Sequence, residues 1–293
     1  MEWASNTVAN PPKLVVLPPR SQRSLARAPF KTTHLPDGLA WSLHYRRRSG
    51  FLIRFPNLAD FILDRHAINA ICRPTPATTP ATIDHLFLNQ VVPMAVAHRG
   101  HLVLHGSAVN VGGQALAFIG DSGQGKSTLA SYFALNGSPF LADDGLVLDL
   151  DGSDVSVLAG HDTVRLWADS AAALLSGGAR KSDPVQFTSK ARFIADETIR
   201  HTSQSHRLAC IYLLRKEGAA SVQIAELSTA PVLISLVNQS FLLDTESRVV
   251  LTRHFSQLQT LVKRTRFFAF DYPRDYARLP EVRQAILAHA AGL

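Results

Sequence analysis

A glycine-rich octapeptide near the middle of the chain has the residue types and the spacing that bind phosphate. Residues 120–127 read GDSGQGKS and fit G-x-x-x-x-G-K-[ST] at every fixed position. In this pattern the loop N–H groups point at phosphate oxygens, Lys126 reaches the β- and γ-phosphates, and the Ser127 hydroxyl holds Mg²⁺. The candidate nucleotide-binding residues are Gly120, Asp121, Ser122, Gly123, Gln124, Gly125, Lys126, Ser127 and Thr128.

The segments on either side of this loop are those that the pattern requires. The apolar run at 115–119 predicts a strand, and 128–135 predicts a helix that ends at Asn136-Gly137. This order places the loop amides at a helix N-terminus, where the helix dipole favours anions. The stretch therefore predicts a site for a nucleoside triphosphate; the alternative is a glycine- and serine-rich turn without function.

Two adjacent aspartates, Asp143 and Asp144, follow the next predicted strand, at 139–142. Phosphoryl transfer needs an acid that holds the metal, and a kinase needs a base that orients the attacking hydroxyl. Because successive side chains of a strand point in opposite directions, two neighbouring aspartates can divide these roles. The alternative is a solvated turn, since aspartate is common in turns.

Four further residues are candidates for the same site. His105 follows a short predicted strand at 102–104. We place this strand immediately before the strand that leads into the phosphate loop, residues 120–127. Strand ends of α/β sheets converge on the ligand crevice, so His105 is expected near the phosphate. A structural histidine is equally compatible with this position. Lys190 and Arg192 lie in a polar segment and, with Arg165, are candidate phosphate or substrate contacts. A solvated surface is the alternative for all three.

The composition is that of a globular protein with an excess of positive charge. The 293 residues carry a formal net charge of +7, with basic residues that look scattered apart from 46–48 and 263–266. No nucleic-acid signature with interleaved aromatic residues occurs, so acidic ligands such as ATP and an acidic peptide are favoured over nucleic acid. No apolar stretch reaches signal-peptide or transmembrane length, which predicts a cytoplasmic protein without a membrane partner. The two cysteines indicate neither a zinc site nor a disulfide framework.

The pattern of elements predicts an α/β fold with three parts. Residues 1–36 are expected to form a loosely ordered arm with one strand at 14–17, and 37–81 a small antiparallel β-rich subdomain that ends in a proline-rich linker at 73–80. Residues 82–293 are expected to form the nucleotide-binding domain. It begins with a helix at 83–97 that Pro93 kinks, and 229–261 is expected to be mostly helical.

The central stretch resembles a known family. His105-Gly106, the loop at 120–127 and Leu141-Ala-Asp-Asp144 are similar, in order and spacing, to the kinase core of the bacterial HPr kinase/phosphorylases. The resemblance covers about residues 100–150. It implies a P-loop nucleotide-binding domain of the HPr kinase and phosphoenolpyruvate carboxykinase-like type.

The resemblance also implies a role for each matching residue. Lys126 and Ser127 would bind phosphate and Mg²⁺, and Asp143 would be the base that accepts the serine proton. Asp144 would assist the metal, and His105 would line the site. The cofactors implied are ATP and Mg²⁺.

Other segments depart from that family. The downstream glycine-arginine-asparagine segment and the glutamate-rich helix associated with phosphorylase activity are not found. Instead 51–55, 102–109 and 165–167 are similar to a shorter, divergent branch found in gene clusters for ribosomally made peptides. Some members of that branch are lasso-peptide kinases, which phosphorylate the C-terminal serine of a precursor peptide.

The sequence thus predicts an enzyme, an ATP- and Mg²⁺-dependent serine kinase. Its partner would be a peptide or small protein carrying an acceptor serine, with a lasso-type precursor peptide favoured over an HPr-type phosphocarrier. A nucleotide-binding regulatory module without transfer activity and a nucleic-acid-dependent ATPase stay open as alternatives. Relatives of this core often assemble, which is compatible with a homo-oligomer.

Overall fold

A computed structural model of the chain describes residues 10–35, 37–175, 179–216 and 218–293. The strands are β1 Lys13–Val16, β2 Lys31–His34, β3 Ala40–Arg47, β4 Gly50–Phe55, β5 Ala59–Asp64, β6 Asn69–Pro74, β7 Leu102–Leu104, β8 Gly106–Val111, β9 Gln114–Ile119, β10 Phe140–Ala142, β11 Leu146–Asp149, β12 Ser156–Leu158, β13 Thr163–Leu166, β14 Ala191–Ile194, β15 His206–Leu214, β16 Gln223–Glu226 and β17 Arg266–Asp271. The helices are α1 Pro80–Leu86, α2 Val92–His98, α3 Lys126–Leu135, α4 Ala168–Leu174, α5 Thr229–Asn238, α6 Arg248–Arg264 and α7 Leu279–Ala290, with a π turn at Phe87–Val91 and a 3₁₀ turn at Tyr276–Arg278. The fold is mixed α/β.

The first six strands form one sheet in the order β1-β6-β5-β4-β3-β2. All neighbours are antiparallel except β1 and β6. Along β4 the side chains alternate: Phe51, Ile53 and Phe55 are buried against α1 and α2, whereas Leu52 and Arg54 point to the opposite face. One face of this sheet is therefore core and the other is an outer surface.

The expected loose arm at 1–36 differs from the structure in its described part. Both β1 and β2 belong to the sheet, at its two edges. Strand β2, Lys-Thr-Thr-His, was not predicted because it is short and polar and has no apolar alternation; its pairing with β3 supplies the order. Residues 1–9 lie outside the described part of the chain.

The helical segment after this sheet contains an irregular turn at the position where the sequence predicts a kink. The π turn Phe87–Val91 lies between α1 and α2, and Pro93 is in the first turn of α2. Proline has no N–H and its ring clashes with the carbonyl of residue i−4, which a regular α-helix could not accommodate. The expected linker at 73–80 is shorter than predicted, because β6 continues to Pro74 and α1 begins at Pro80.

The second sheet carries the phosphate loop. Its strands follow the order β10-β8-β9-β15-β12-β11-β7, and β17 pairs with β15 and β16. Strands β9, β15 and β17 are parallel, whereas β8 and β9 form an antiparallel hairpin. Strand β8 was not predicted. It separates His105 from β9, so the expectation that His105 ends the strand immediately before the loop strand is wrong.

Other expectations differ in detail. The helical segment predicted at 229–261 is broken between α5 and α6. Arg165 lies on β13, which pairs with β14 in a separate two-stranded sheet. The sequence also predicts that the alanine-rich helix after 165–167 ends at 176–178, and these residues lie outside the described part of the chain. The boundary expected between 81 and 82 falls inside α1, whose apolar face packs with the first sheet. No helix among the described residues is long and apolar enough to cross a membrane.

Candidate functional site

The phosphate loop joins buried strand β9 to helix α3 and is closed by a tight contact with the C-terminal part of the chain. Gly125 precedes α3 with φ +94°, a backbone conformation that side chains rarely adopt. A Cβ on Gly125 would also collide with the Tyr272 hydroxyl. Tyr272 follows β17 and is 3% exposed, so it cannot easily move away. The glycine at this position is therefore required twice, by its φ angle and by the approach of Tyr272.

Lys126 and Gln124 fill the loop from inside. The Lys126 ammonium donates to the carbonyl oxygens of Gly120, at 2.7 Å, and Asp121, at 3.0 Å. The Gln124 side-chain oxygen accepts a hydrogen bond of 2.7 Å from the Asp121 N–H. Burial lowers the pKa of Lys126 to about 8. The loop thus holds a positive charge at its centre, bound by neutral carbonyl groups only.

Asp143 is the carboxylate that contacts this loop. Its Oδ1 accepts hydrogen bonds from Ser127 Oγ at 2.8 Å and from Ser107 Oγ at 2.5 Å, and its Oδ2 accepts one of 3.0 Å from the Arg165 N–H. Asp143 is 3% exposed. Burial raises its pKa, and the charge of neighbouring Asp144 raises it further. Three donors therefore hold Asp143 in place beside the start of α3, where the phosphate-binding motif ends.

Asp144 lies in an unusual turn that directs it into the cleft. Its φ is +64°, and the Gly145 N–H donates 2.8 Å across it to the Asp143 carbonyl oxygen. Such a three-residue turn is rare and costs about 1–3 kcal/mol, which is typical of functional sites. Asp144 Oδ2 accepts from Arg165 Nη1 at 3.0 Å and from Asn89 Nδ2 at 3.3 Å. Burial is the largest single influence and would raise the pKa of Asp144. Arg165, together with the charges of Lys190 and the nearby histidines, outweighs it and holds the pKa below its usual range.

His105 supports this turn from behind. Its Nδ1 lies 3.0 Å from the Asp144 carbonyl oxygen, so the proton of the neutral ring is on Nδ1 and Nε2 is an acceptor. The backbone N–H of His105 donates a hydrogen bond of 2.6 Å to the Gln239 carbonyl oxygen. The ring of His105 meets that of Phe241 edge-on, with 6.3 Å between the ring centres. Burial, together with the charge of Lys126, lowers the pKa of His105 to about 4. The ring is therefore neutral at physiological pH.

These residues surround a cleft of about 470 Å³. The sequence-predicted residues that line it are Asp121, Ser122, Gly123, Gln124, Gly125, Lys126, Ser127, Thr128, Asp144, Arg165 and Lys190. Gly120, His105 and Asp143 lie behind this lining. The ammonium of Lys190 lies 5.1 Å from the centre of the Trp167 ring, which also faces the cleft.

Arg192, a further predicted site residue, does not line the cleft. It lies opposite Arg165 in the two-stranded β13–β14 sheet and is only 4% exposed. The polar segment around Lys190 therefore includes a core residue, and the expectation of a substrate contact or a solvated surface at Arg192 is wrong. Both faces of β14 are covered here, since Arg192 and the adjacent Phe193 are both buried, and a four-residue strand of this kind is too short to be recognised in the sequence.

Part of the cleft wall was missed from the sequence. Tyr272, Arg274 and Tyr276 follow β17, about 150 residues after the phosphate loop. Arg274 stacks on Tyr272 at 3.9 Å and donates 2.9 Å to the Gln124 carbonyl. Tyr276 hydrogen bonds to Asp169, which faces the cleft from α4. An aromatic and proline-containing run after a buried strand was the available signal, but no spacing rule connects it to the loop.

Ser107 and Asn89 were missed for a similar reason, since each reaches an aspartate from a distant part of the chain. Ser107 lies two residues after His105 on β8, and Asn89 lies on the π turn. The described residues include no group of three His, Cys, Asp or Glu side chains placed to hold a metal by themselves. Mg²⁺ is usually held by one or two carboxylates together with phosphate oxygens and water, and Ser127 with Asp143 provides oxygen ligands of that kind.

No family model and no curated protein matches the chain. Among solved structures, the chain is similar to the Hpr(Ser) kinase/phosphatase from Coxiella burnetii. The identity is 9%, the TM-score is 0.34, and the match covers 64% of this chain and 97% of that chain. A likeness with so low a TM-score gives no information on function.

Proposed function

We propose that the chain is an ATP- and Mg²⁺-dependent kinase that phosphorylates a serine of a peptide or small protein. The observation that carries this proposal is the convergence of Lys126, Ser127 and Asp144 on one cleft, with Asp143 bonded to Ser127 behind it. A phosphate chain in the loop would replace the carbonyl groups as partners of Lys126. Most of the rate enhancement would then come from positioning and from charge placed on the transferring phosphoryl group.

The contacts favour a division of roles between the two aspartates that is opposite to the one implied by the family resemblance. In P-loop enzymes the loop serine and a strand-end aspartate hold the metal together. Asp143 has this relation to Ser127, and it does not line the cleft in which an acceptor hydroxyl would lie. Asp144 faces the cleft, and the positive charges around it, with Arg165 the strongest, together keep it ionised. We therefore assign the metal to Ser127 and Asp143, and orientation of the acceptor hydroxyl to Asp144.

The acceptor and the setting are proposed from the sequence. The resemblance to the divergent branch favours the C-terminal serine of a ribosomally made precursor peptide over an HPr-type phosphocarrier. We place the reaction in the cytoplasm. Lys190 and Trp167 at the cleft mouth are the residues that we expect to contact the phosphate or the acceptor.

Intact-mass spectrometry tests the proposal directly. The protein is incubated with ATP, Mg²⁺ and either a precursor peptide ending in serine, the same peptide ending in alanine, or an HPr-type phosphocarrier. We expect one or more added phosphates on the serine peptide only, and none when Asp144→Asn replaces the wild type. Addition to the phosphocarrier alone would show that the acceptor is an HPr-type phosphocarrier instead. If no acceptor gains mass while ATP still binds, the chain is a nucleotide-binding module instead.

A further inference from the structure

The outer face of the N-terminal sheet carries a second cleft, of about 630 Å³. Its floor is formed by side chains that alternate with the buried ones: Tyr45 pairs with Leu52, and Leu52 with Ile62, in a row across β3, β4 and β5. Its walls are the segment 20–27 and the turn at 46–49. We call it the arginine cleft. It shares no lining residue with the first cleft, which the phosphate loop lines and which we call the nucleotide cleft.

The lining of the arginine cleft concentrates the positive charge of the chain. It includes eight arginines and a single carboxylate, Asp60. The resulting excess of seven positive charges equals the formal net charge of the whole protein, +7. The basic residues are therefore not scattered as they look in the sequence, because 20–27, 46–48 and 73 come together on one face.

Most of these arginines have no carboxylate partner within the described part of the chain. Arg54 binds Asp60 through two hydrogen bonds, and Arg46 binds Asp244 at 2.6 Å. No described carboxylate forms an ion pair with the other six, which are Arg20, Arg23, Arg27, Arg47, Arg48 and Arg73. Six like charges around one cavity repel one another, and an anionic ligand would relieve that repulsion.

The chemistry of the cleft favours a polypeptide over a nucleic acid. The Arg54–Asp60 pair, at 2.8 and 2.7 Å, already shows the two-pronged geometry in which a guanidinium binds a carboxylate. The apolar floor at Leu52 and Ile62 suits aliphatic side chains. A site for single-stranded nucleic acid stacks successive bases on several aromatic rings, whereas Tyr45 is the one aromatic residue of this lining.

We propose that the arginine cleft binds an acidic segment of a polypeptide. The carboxylates of this segment pair with the arginines of the cleft walls, and its aliphatic side chains lie on the floor. This docking role goes beyond phosphoryl transfer and requires no nucleotide. One wall of the arginine cleft also contacts the segment 241–244, since Arg46 binds Asp244. Phe241 of this segment contacts His105 behind the nucleotide cleft.

Fluorescence anisotropy without ATP tests the proposal. The probe is a short labelled peptide in which glutamate alternates with leucine, at about 0.15 M salt, where exposed charges are screened beyond about 8 Å. We expect saturable binding that is lost when glutamine replaces each glutamate. Arg23→Glu with Arg27→Glu is expected to raise the Kd at least about tenfold, because two exposed attractions become repulsions. The described contacts of Arg23 use only its carbonyl oxygen, so the fold is expected to tolerate the change.

A matched control is provided by helix α6. Arg248 and Lys263 are exposed there and form no ion pair with a described carboxylate, so Arg248→Glu with Lys263→Glu changes the net charge equally. We expect this variant to bind the peptide like the wild type. Equal weakening in both variants, absence of saturable binding, or tighter binding of a single-stranded DNA of equal charge would each overturn the proposal. None of these results bears on kinase activity, which the mass assay decides separately.

Discussion

The Ser127 hydroxyl donates a hydrogen bond of 2.8 Å to Oδ1 of Asp143. These residues lie 16 positions apart, one at the start of α3 and the other just after β10, so helix and strand bring them together. The second hydroxyl on the same oxygen, from Ser107, approaches along β8. Asp143 is therefore fixed by three elements, whereas Asp144 next to it faces the cleft. This arrangement makes the two carboxylates separable by experiment.

Replacing each aspartate by asparagine is expected to give different kinetic defects. Asp143→Asn should raise the Mg²⁺ concentration for half-maximal activity by at least about tenfold, since loss of even an outer-shell metal partner costs about 10–100-fold. Asp144→Asn should lower kcat by about 10²–10⁴-fold with little change in Mg²⁺ dependence or ATP affinity, because it removes the group that orients the acceptor. Activity measured across a Mg²⁺ titration distinguishes them.

Asp151→Asn, in the exposed turn between β11 and β12, is the matched control and should behave like the wild type. The reverse pattern, with the metal defect in Asp144→Asn, would contradict our division of roles and support the one implied by the family resemblance.

Gly125 provides a prediction about stability. Gly125→Ala is expected to lower the free energy of unfolding more than Gly137→Ala, although both have similar positive φ angles, +94° and +87°. Each substitution pays about 1–3 kcal/mol for the backbone conformation. Only Gly125 would also collide with the Tyr272 hydroxyl, since a Cβ on Gly137 meets nothing within 4 Å. Urea unfolding measures the difference.

Tyr272→Phe in the Gly125→Ala background removes the colliding oxygen and should recover part of the lost stability. If Gly125→Ala and Gly137→Ala prove equally destabilising, the approach of Tyr272 has no energetic consequence.

The phosphate loop could be predicted from the sequence because everything that defines it is local. The strand, the glycines, the lysine and the helix follow one another in the sequence. The glycines allow the loop conformation through their own backbone freedom, so the pattern can be recognised without knowledge of distant residues. Asp143 and Asp144 were predicted as a pair for the same reason, at the end of an apolar run. Their individual contacts were not, because these depend on which distant side chain reaches each oxygen.

The residues that were missed all lie far from the loop in sequence or on short strands. Tyr272 reaches the loop only because β17 pairs in parallel with β15, and β15 with β9. Strand β8 is Gly-Ser-Ala-Val-Asn-Val, whose buried and polar positions lack clear alternation. The arginine cleft combines three separate parts of the chain, which are 20–27, 46–48 and 73. Its charges look dispersed in the sequence, and folding of the chain around the N-terminal sheet brings them together.

Acid is expected to destabilise the protein through buried histidines, and His44 is the one to test because it lies away from the nucleotide site. It is 1% exposed, and burial followed by the charge of Lys31 lowers its pKa to about 3. The unfolded chain binds a proton near pH 6.5 and the folded chain does not, so stability falls as pH drops below about 6.5. One such histidine contributes at most about 1.4 kcal/mol per pH unit.

His44→Gln should therefore flatten the decline of the unfolding free energy between about pH 6 and 4, while losing some stability near neutrality with its bond to Ser42. His66→Gln, at an exposed position, is the matched control for the substitution. An unaltered slope in His44→Gln would mean that His44 is protonated in the folded protein.

The π turn provides a prediction that connects a helix irregularity to catalysis. Pro93 prevents a regular helix, and its ring packs so closely on Gly145 that an added Cβ would lie 3.3 Å from Cγ. Pro93→Ala restores an N–H that can bond to the Asn89 carbonyl, so we expect a more regular helix that withdraws the Asn89 side chain from Asp144. Thermal stability should hold or rise, whereas kcat should fall about 10–150-fold, since a hydrogen bond to a charged group contributes about 1.5–3 kcal/mol. Asn89→Ala should give a similar loss, and the double variant should be no worse than either single one, because both changes remove the same contact. Additive losses would show that Pro93 acts on the site by another route, through its packing on Gly145.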